Sequence, residues 1–244
     1  MADESTHKSI RDPRISSLCD TLSRDLQIRD AYMALLSALR LDLPPASGNS
    51  ILVTSAAPAE GKTTIASSLA ITAALAGHAS LFIDADLQST SPSMVGGYRN
   101  PGLTEFLTGE VSGSELILRQ RLSTDHREGH SLSIMKREER FNTMLSLLDW
   151  TAARKVFTAL ALDYDIVFVD SPPILAADDA LFLARIVDAA ILVINTGTSN
   201  LDEVRQSREL LEKTGTPLLG AVLNRFEPKT HGHSNKPYRD YHRR

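Results

Sequence analysis

The run Ala56-Ala57-Pro58-Ala59-Glu60-Gly61-Lys62-Thr63 is built to meet a charged ligand. This run fits the P-loop pattern with Ala in place of its first Gly. Such a loop turns successive backbone N–H groups toward phosphate oxygens, aims a helix N-terminus at the anion, places a Lys on the β and γ phosphates and offers a hydroxyl to Mg²⁺. Gly61, Lys62 and Thr63 supply those parts, and Pro58, Ala59, Glu60 and Thr64 complete the segment expected to cradle ATP. Two further runs end in carboxylates: Leu81-Phe82-Ile83-Asp84-Ala85-Asp86 and Ile166-Val167-Phe168-Val169-Asp170. A single Asp after a strand is as often a helix cap or a solvated turn. Three of them beside a phosphate loop point instead to Mg²⁺ and nucleophile handling.

These groups converge only if the chain folds to bring strand ends together. Apolar runs at Ile51–Ser55, Ser80–Asp84, Ile166–Asp170, Ala189–Asn195 and Leu218–Leu223, with a weaker one at Ser131–Met135, have the continuous character of strands covered on both faces. Between them the sequence predicts helices at Lys62–Ala76, Thr143–Leu162, Ala177–Val187 and Leu201–Thr214. The last has Asn200 as its N-cap, Glu203 three residues on, and Gly215 and Pro217 as its stop. Strand–helix alternation of this kind predicts one α/β domain with a mostly parallel sheet flanked by helices on both faces, and a ligand crevice at the strands' C-terminal ends.

Upstream, Ile28–Leu41 reads as an amphipathic helix. Residues 1–25 are expected to be a flexible N-terminal segment, 26–226 the nucleotide-binding domain and 227–244 a flexible tail. The stretch Gln88–Gly129 reads as an irregular insertion with short helices. In the tail, Lys229, Lys236, Arg239, Arg243 and Arg244 outnumber Glu227 and Asp240 around Tyr238 and Tyr241.

Composition narrows the class of function. The 244 residues are 42% hydrophobic and 23% charged, ordinary for a globular protein with a sizeable core. A formal charge of -4 argues against nucleic acid as the partner. Cys19, the only cysteine, has no companion for a disulfide or a zinc site, in keeping with a reducing compartment. The N-terminus lacks the basic start and apolar core of a secretory signal. Thr63–Ile83 contains no Asp, Glu, Lys or Arg, yet its polar residues and Gly77 mark a buried helix followed by a strand rather than a membrane span. A cytoplasmic location without a transmembrane segment is therefore expected.

Four further runs carry a family resemblance. The Asp84-Ala85-Asp86-Leu87 run, Gly102-Leu103-Thr104-Glu105-Phe106-Leu107-Thr108-Gly109, Tyr164-Asp165 leading through Asp170 to Ser171-Pro172-Pro173, and Leu219-Gly220-Ala221-Val222-Leu223-Asn224 look like the ordered motifs of the bacterial tyrosine kinases of capsule and exopolysaccharide biosynthesis. The resemblance covers roughly residues 30–224. It implies an ATP- and Mg²⁺-dependent protein-tyrosine autokinase in which Lys62 and Thr63 are the P-loop residues, Asp84 and Asp86 the second acidic motif, Asp170 the Walker B acid and Asn224 an adenine contact. Tyr238 and Tyr241 would be the phosphoacceptors. It further implies self-association, and recruitment to the inner face of the membrane by an inner-membrane polysaccharide chain-length regulator.

The chain also departs from that family. Gln88 stands where the second acidic motif continues to Arg. Asp30, Met33 and Leu36 stand where the family carries a Glu and two Arg that join subunits into a ring, and the tail holds two tyrosines instead of a cluster. Two other readings stay open on these residues. One is a nucleotide switch like the partition and cell-division ATPases, although Ala57 occupies the place of their signature Lys. The other is an ATP-binding scaffold without kinase activity.

Overall fold

The computed structural model describes residues 8–43, 48–86, 102–124, 127–135 and 148–226. In chain order the elements are β1 (Lys8–Ile10), α1 (Pro13–Arg24), α2 (Leu26–Asp42), β2 (Asn49–Ser55), α3 (Lys62–Leu75), β3 (Ser80–Asp84), α4 (Leu103–Leu107), α5 (Gly113–Leu116), β4 (Ile117–Thr124), β5 (Arg127–Met135), α6 (Trp150–Ala161), β6 (Ile166–Asp170), α7 (Asp178–Ile186), β7 (Ala189–Asn195), α8 (Leu201–Thr214) and β8 (Leu218–Asn224). The eight strands form one sheet in the order β1-β4-β5-β3-β6-β2-β7-β8. Every pairing is parallel except the β4–β5 hairpin. The predicted α/β class, with a mostly parallel sheet in a single domain, is what the structure has.

Period-two alternation sorts the central strands between two cores. Leu52, Leu81, Ile83, Val167 and Val169 face one side with Phe157, Phe182 and Leu183. Ile51, Val53, Phe82, Ile166 and Phe168 face the other with Ile65, Leu69 and Ile71 of α3. Phe82 and Phe168 are fully buried, and burial of a side chain this size is worth about 1.5–3 kcal/mol. The same alternation continues to the strand ends. Asp84 and Asp170 share the parity of Phe82 and Phe168, so both point to the α3 side. α3 is buried nearly all round, with ten of its residues from Ile65 to Ala74 buried, which explains the uncharged stretch in the sequence.

Most predicted elements are present with small boundary shifts, and α8 has its predicted limits. Asn200 accepts a hydrogen bond from the Asp202 N–H at 2.8 Å, and Gly215 takes φ 80° to close the helix. For the predicted Thr143–Leu162 helix, residues 143–147 lie outside the described residues and the described helix is Trp150–Ala161.

Two expectations are corrected. Residues 1–25 were expected to be flexible, but Pro13–Arg24 is a helix that buries Ile15, Cys19 and Leu22 at a spacing of four and three. Asp12 caps it through the N–H groups of Arg14 and Ile15. The Asp12 N–H in turn donates to Gln120 Oε1 at 2.8 Å, which ties the helix start to β4. The second correction concerns Gln88–Gly129. Its short helices exist, yet β4 and the start of β5 are paired strands within it. Residues 87–101 lie outside the described residues.

Candidate active site

The site lies where β2, β3 and β6 end and α3 begins. β2 delivers the chain into the phosphate loop, and Gly61 leaves it with φ 101°, in the left-handed region, as the cap of α3. A Cβ at Gly61 would run into the Asn224 side-chain amide, and the left-handed φ strains any residue with a Cβ. Ala59 also has positive φ, at 61°. The first N–H groups of α3, from Lys62, Thr63 and Thr64, have no acceptor within the helix and give its start the partial positive charge that favours anions. Lys62 is itself buried, only 5% exposed.

The loop is braced from several sides. Ser55 Oγ donates to Ala57 O at 2.7 Å. The Glu60 side chain turns inward, is 2% exposed, and accepts from the Ala57 N–H at 3.0 Å and from Ser199 Oγ. Asn224 Nδ2 donates to Glu60 O at 2.8 Å. Pro58 and Ala59 remain exposed at the loop's crest.

Opposite the loop, Asp84 of β3 and Asp170 of β6 are register partners on adjacent parallel strands, and the Ala85 N–H donates to Asp170 O at 2.9 Å. Asp170 is 1% exposed, and neither carboxyl oxygen has a hydrogen-bond partner of full geometry. Burial pushes its carboxyl well above the usual carboxylate range, and Asp84 and Asp86 push it further, while the nearby Thr63 hydroxyl and the Lys62 ammonium pull it back. Asp84, Asp86, Asp170, Lys62 and Thr63 thus occupy one electrostatic neighbourhood. Asp170 is followed by a well-pinned turn, with Ser171 Oγ donating to Val53 O at 3.2 Å and Thr54 Oγ1 to Pro172 O at 3.1 Å.

Asn224 ends β8, opposite Asn195 of β7, and lies against the loop rather than beside the acids. Tyr238 and Tyr241 lie outside the described residues. Ser199, which the sequence reading did not single out, is a direct partner of the loop from 139 residues away; no spacing rule links the two positions. Among the described residues no group of three or more His, Cys, Asp or Glu could hold a metal ion. The donor set, one buried carboxyl with unsatisfied oxygens beside a hydroxyl, suits a cation such as Mg²⁺, which takes one or two carboxylates and completes its shell with phosphate and water.

A glycine-capped phosphate loop at the switch of a parallel sheet, with acids on the neighbouring strand ends, defines a P-loop nucleotide-binding protein. Residues 51–242 match the family model described as the CobQ/CobB/MinD/ParA nucleotide binding domain. The chain is 30% identical over 178 residues to the putative tyrosine-protein kinase CapB of Staphylococcus aureus, covering 72% of this chain and 75% of that one. The solved kinase domain of the Escherichia coli tyrosine kinase Etk superposes with a TM-score of 0.67 at 28% identity, over 84% of this chain and 79% of that domain. The chimerical protein CapA2B2 superposes with a TM-score of 0.69 at 27% identity, over 91% of this chain and 94% of that one. The chain spans about a quarter, 26%, of full-length Etk. It belongs to the CobQ/CobB/MinD/ParA nucleotide-binding family, among that family's tyrosine-protein kinases.

Proposed function

We propose that this protein is an ATP-dependent protein-tyrosine autokinase that regulates polymerisation and export of a capsular or extracellular polysaccharide. The observation that carries the reading is Asp170, a fully buried carboxyl with unsatisfied oxygens, in register with Asp84 and facing the start of α3. Such a group is costly for the fold and is kept where it has a ligand to hold.

On this reading each residue of the site has a role. The N–H groups at the start of α3 and the Lys62 ammonium bind the phosphates and offset negative charge on the transferring group. Thr63, Asp86 and Asp170 are the residues that would hold Mg²⁺. When bound, the ion neutralises charge on the β and γ phosphates. Asp84 orients a tyrosine hydroxyl and takes its proton as the phenol oxygen bonds to the γ phosphorus; the bond from that phosphorus to the bridging oxygen breaks, and its electron pair leaves with ADP. A phenol with pKa near 10 needs this assistance at neutral pH.

Burial counts against Tyr164 as an acceptor, and Tyr32 is half-buried against the core. Tyr164 is 8% exposed, and its phenol is pushed up by desolvation. Tyr32 packs against the α3-side core and is pushed up in the same way. Tyr238 and Tyr241, on the basic tail, are the proposed acceptors. Among the described residues no helix is long and apolar enough to cross a membrane. The reading also assigns recruitment to the membrane's inner face to an inner-membrane chain-length regulator. Incubation with ATP and Mg²⁺ followed by phosphotyrosine mapping tests the reading. Label is expected at Tyr238 and Tyr241 and is lost when both are changed to Phe. ATP hydrolysis without phosphotyrosine would favour a nucleotide switch, and ATP binding without turnover a scaffold.

A further inference from the structure

The inward turn of Glu60 is unexpected in a loop that must receive polyphosphate, since a carboxylate there opposes the ligand's charge. It is nonetheless 2% exposed and fully engaged. One oxygen accepts from the Ala57 N–H three residues earlier, the other from Ser199 Oγ, and its backbone carbonyl accepts from Asn224 Nδ2.

Each partner is held in turn. Ser199 Oγ accepts from the Asn195 N–H at 2.8 Å, so its one proton is directed at Glu60. The turn that carries Ser199 is closed by N–H donation from Thr198 and Ser199 to Asn195 O and from Gly197 to Asn195 Oδ1 at 3.1 Å. Asn224 Oδ1 accepts from the Arg225 N–H at 2.9 Å, leaving that side chain one N–H beyond its bond to Glu60 O. The resemblance assigned Asn224 to adenine, whereas its contacts here also make it a brace of the loop.

We propose that Glu60 is a positioning residue for nucleotide binding: its carboxylate clamps the curl of the phosphate loop through Ala57 and ties it to the β7–α8 turn through Ser199, so that the remaining loop N–H groups face the phosphates before ligand arrives. The gain is preorganisation, because a loop ordered in advance loses less conformational freedom on binding. This inference rests on the nucleotide-binding reading and deepens it.

Coulomb repulsion and positioning predict opposite signs. If repulsion dominated, removing the carboxylate would tighten ATP binding. Positioning predicts that Glu60→Ala weakens ATP and ADP alike by about 10- to 100-fold, the loss typical of hydrogen bonds to a charged group. Glu60→Gln, which can still accept from Ala57 and donate to Ser199, is expected to recover most of that loss. Ser199→Ala should weaken binding in the parent but add little to Glu60→Ala, and Ser199→Thr should restore it. Titration calorimetry reads these affinities on the full chain. Amide hydrogen exchange in the ligand-free protein supplies a separate readout: the Ala57 N–H is protected in the parent and exposed in Glu60→Ala. Unchanged or tighter ATP binding by folded Glu60→Ala, or an unprotected Ala57 in the parent, overturns the proposal. Failure of the parent chain to bind ATP would overturn the nucleotide-binding reading itself.

Discussion

The two ends of β6 carry the same side chain in opposite circumstances. At its entry Asp165 accepts from the Ala79 N–H at 2.8 Å, lies 3.7 Å from His78, and keeps about half its side chain in solvent. At its exit Asp170 is buried with no hydrogen-bond partner of full geometry. The contrast extends across the sheet. Asp188, which precedes β7 at the same end as Asp165, accepts from Ser50 N–H and Oγ at 2.9 and 2.6 Å, with Arg154 4.0 Å away. The entry carboxylates Asp165 and Asp188 are hydrogen-bonded and partly in solvent, whereas Asp170 at the exit is buried beside Asp84 and Asp86, which raise its pKa. On the proposed function, the difference separates groups that hold the fold from groups kept for a ligand.

The strongest way to break this contrast is to remove the cation on the exit side. Lys62→Met keeps the loop backbone and most of the buried volume, and phosphotyrosine formation should fall about 100- to 1,000-fold, as when one preorganised electrostatic group is lost. Circular dichroism should show the fold unchanged. Parent-level turnover in that variant would show that the buried Lys is a core residue.

Asp170→Asn sharpens the contrast by separating stability from activity. The unfolded chain titrates this carboxyl near its ordinary value of about 3.9, whereas the native carboxyl holds its proton to higher pH. Between those two values the native state binds the extra proton, so stability falls as pH rises through the window. Asn removes the ionisation. The variant should lose most Mg²⁺-dependent activity, show a flatter melting profile above pH 4, and melt at neutral pH about 2–4 °C higher, the shift of a ~1 kcal/mol gain in a chain this size. Cation affinity in the parent should rise with pH, because the ion displaces that proton. A variant less stable than the parent at neutral pH would show that Asp170 is satisfied in a way the fold depends on.

The smallest effect is expected at the entry side. Asp188→Ala deletes two hydrogen bonds to Ser50 and should cost about 1–2 kcal/mol of stability, read as a lowered melting temperature, with the KM for ATP unmoved. An altered KM would mean that the two ends of the sheet are coupled.

Much of this arrangement was legible in the sequence because it depends on local chemistry. The Gly-Lys-Thr run, the apolar strands ending in Asp and the Asn200–Gly215 punctuation of α8 each occupy a few adjacent residues. The elements that escaped notice depend on distant partners. β4, Ile-Leu-Arg-Gln-Arg-Leu-Ser-Thr, alternates too weakly to declare itself, and becomes a strand through pairing with β5 and through Gln120 meeting Asp12, 108 residues earlier. α1 announced itself only by Asp12-Pro13, a cap and a first-turn Pro, and its apolar face is narrow: three buried residues in twelve. The Glu60–Ser199 contact had no signal, because a buried Glu in a phosphate loop reads as an ordinary loop residue until its partner is seen.

The strand order also sets a sequence of events. β2 and β3, which carry the phosphate loop and Asp84, are not neighbours, because β6 lies between them and pairs with both. A chain emerging from the ribosome therefore completes Lys62 and Asp84 some eighty residues before the strand that seats them side by side. Until β6 inserts, the two halves of the crevice have no common floor, and long-range parallel pairing of this kind forms late. A product truncated before β6 lacks both Asp170 and the strand that joins β2 to β3, and is expected not to retain nucleotide.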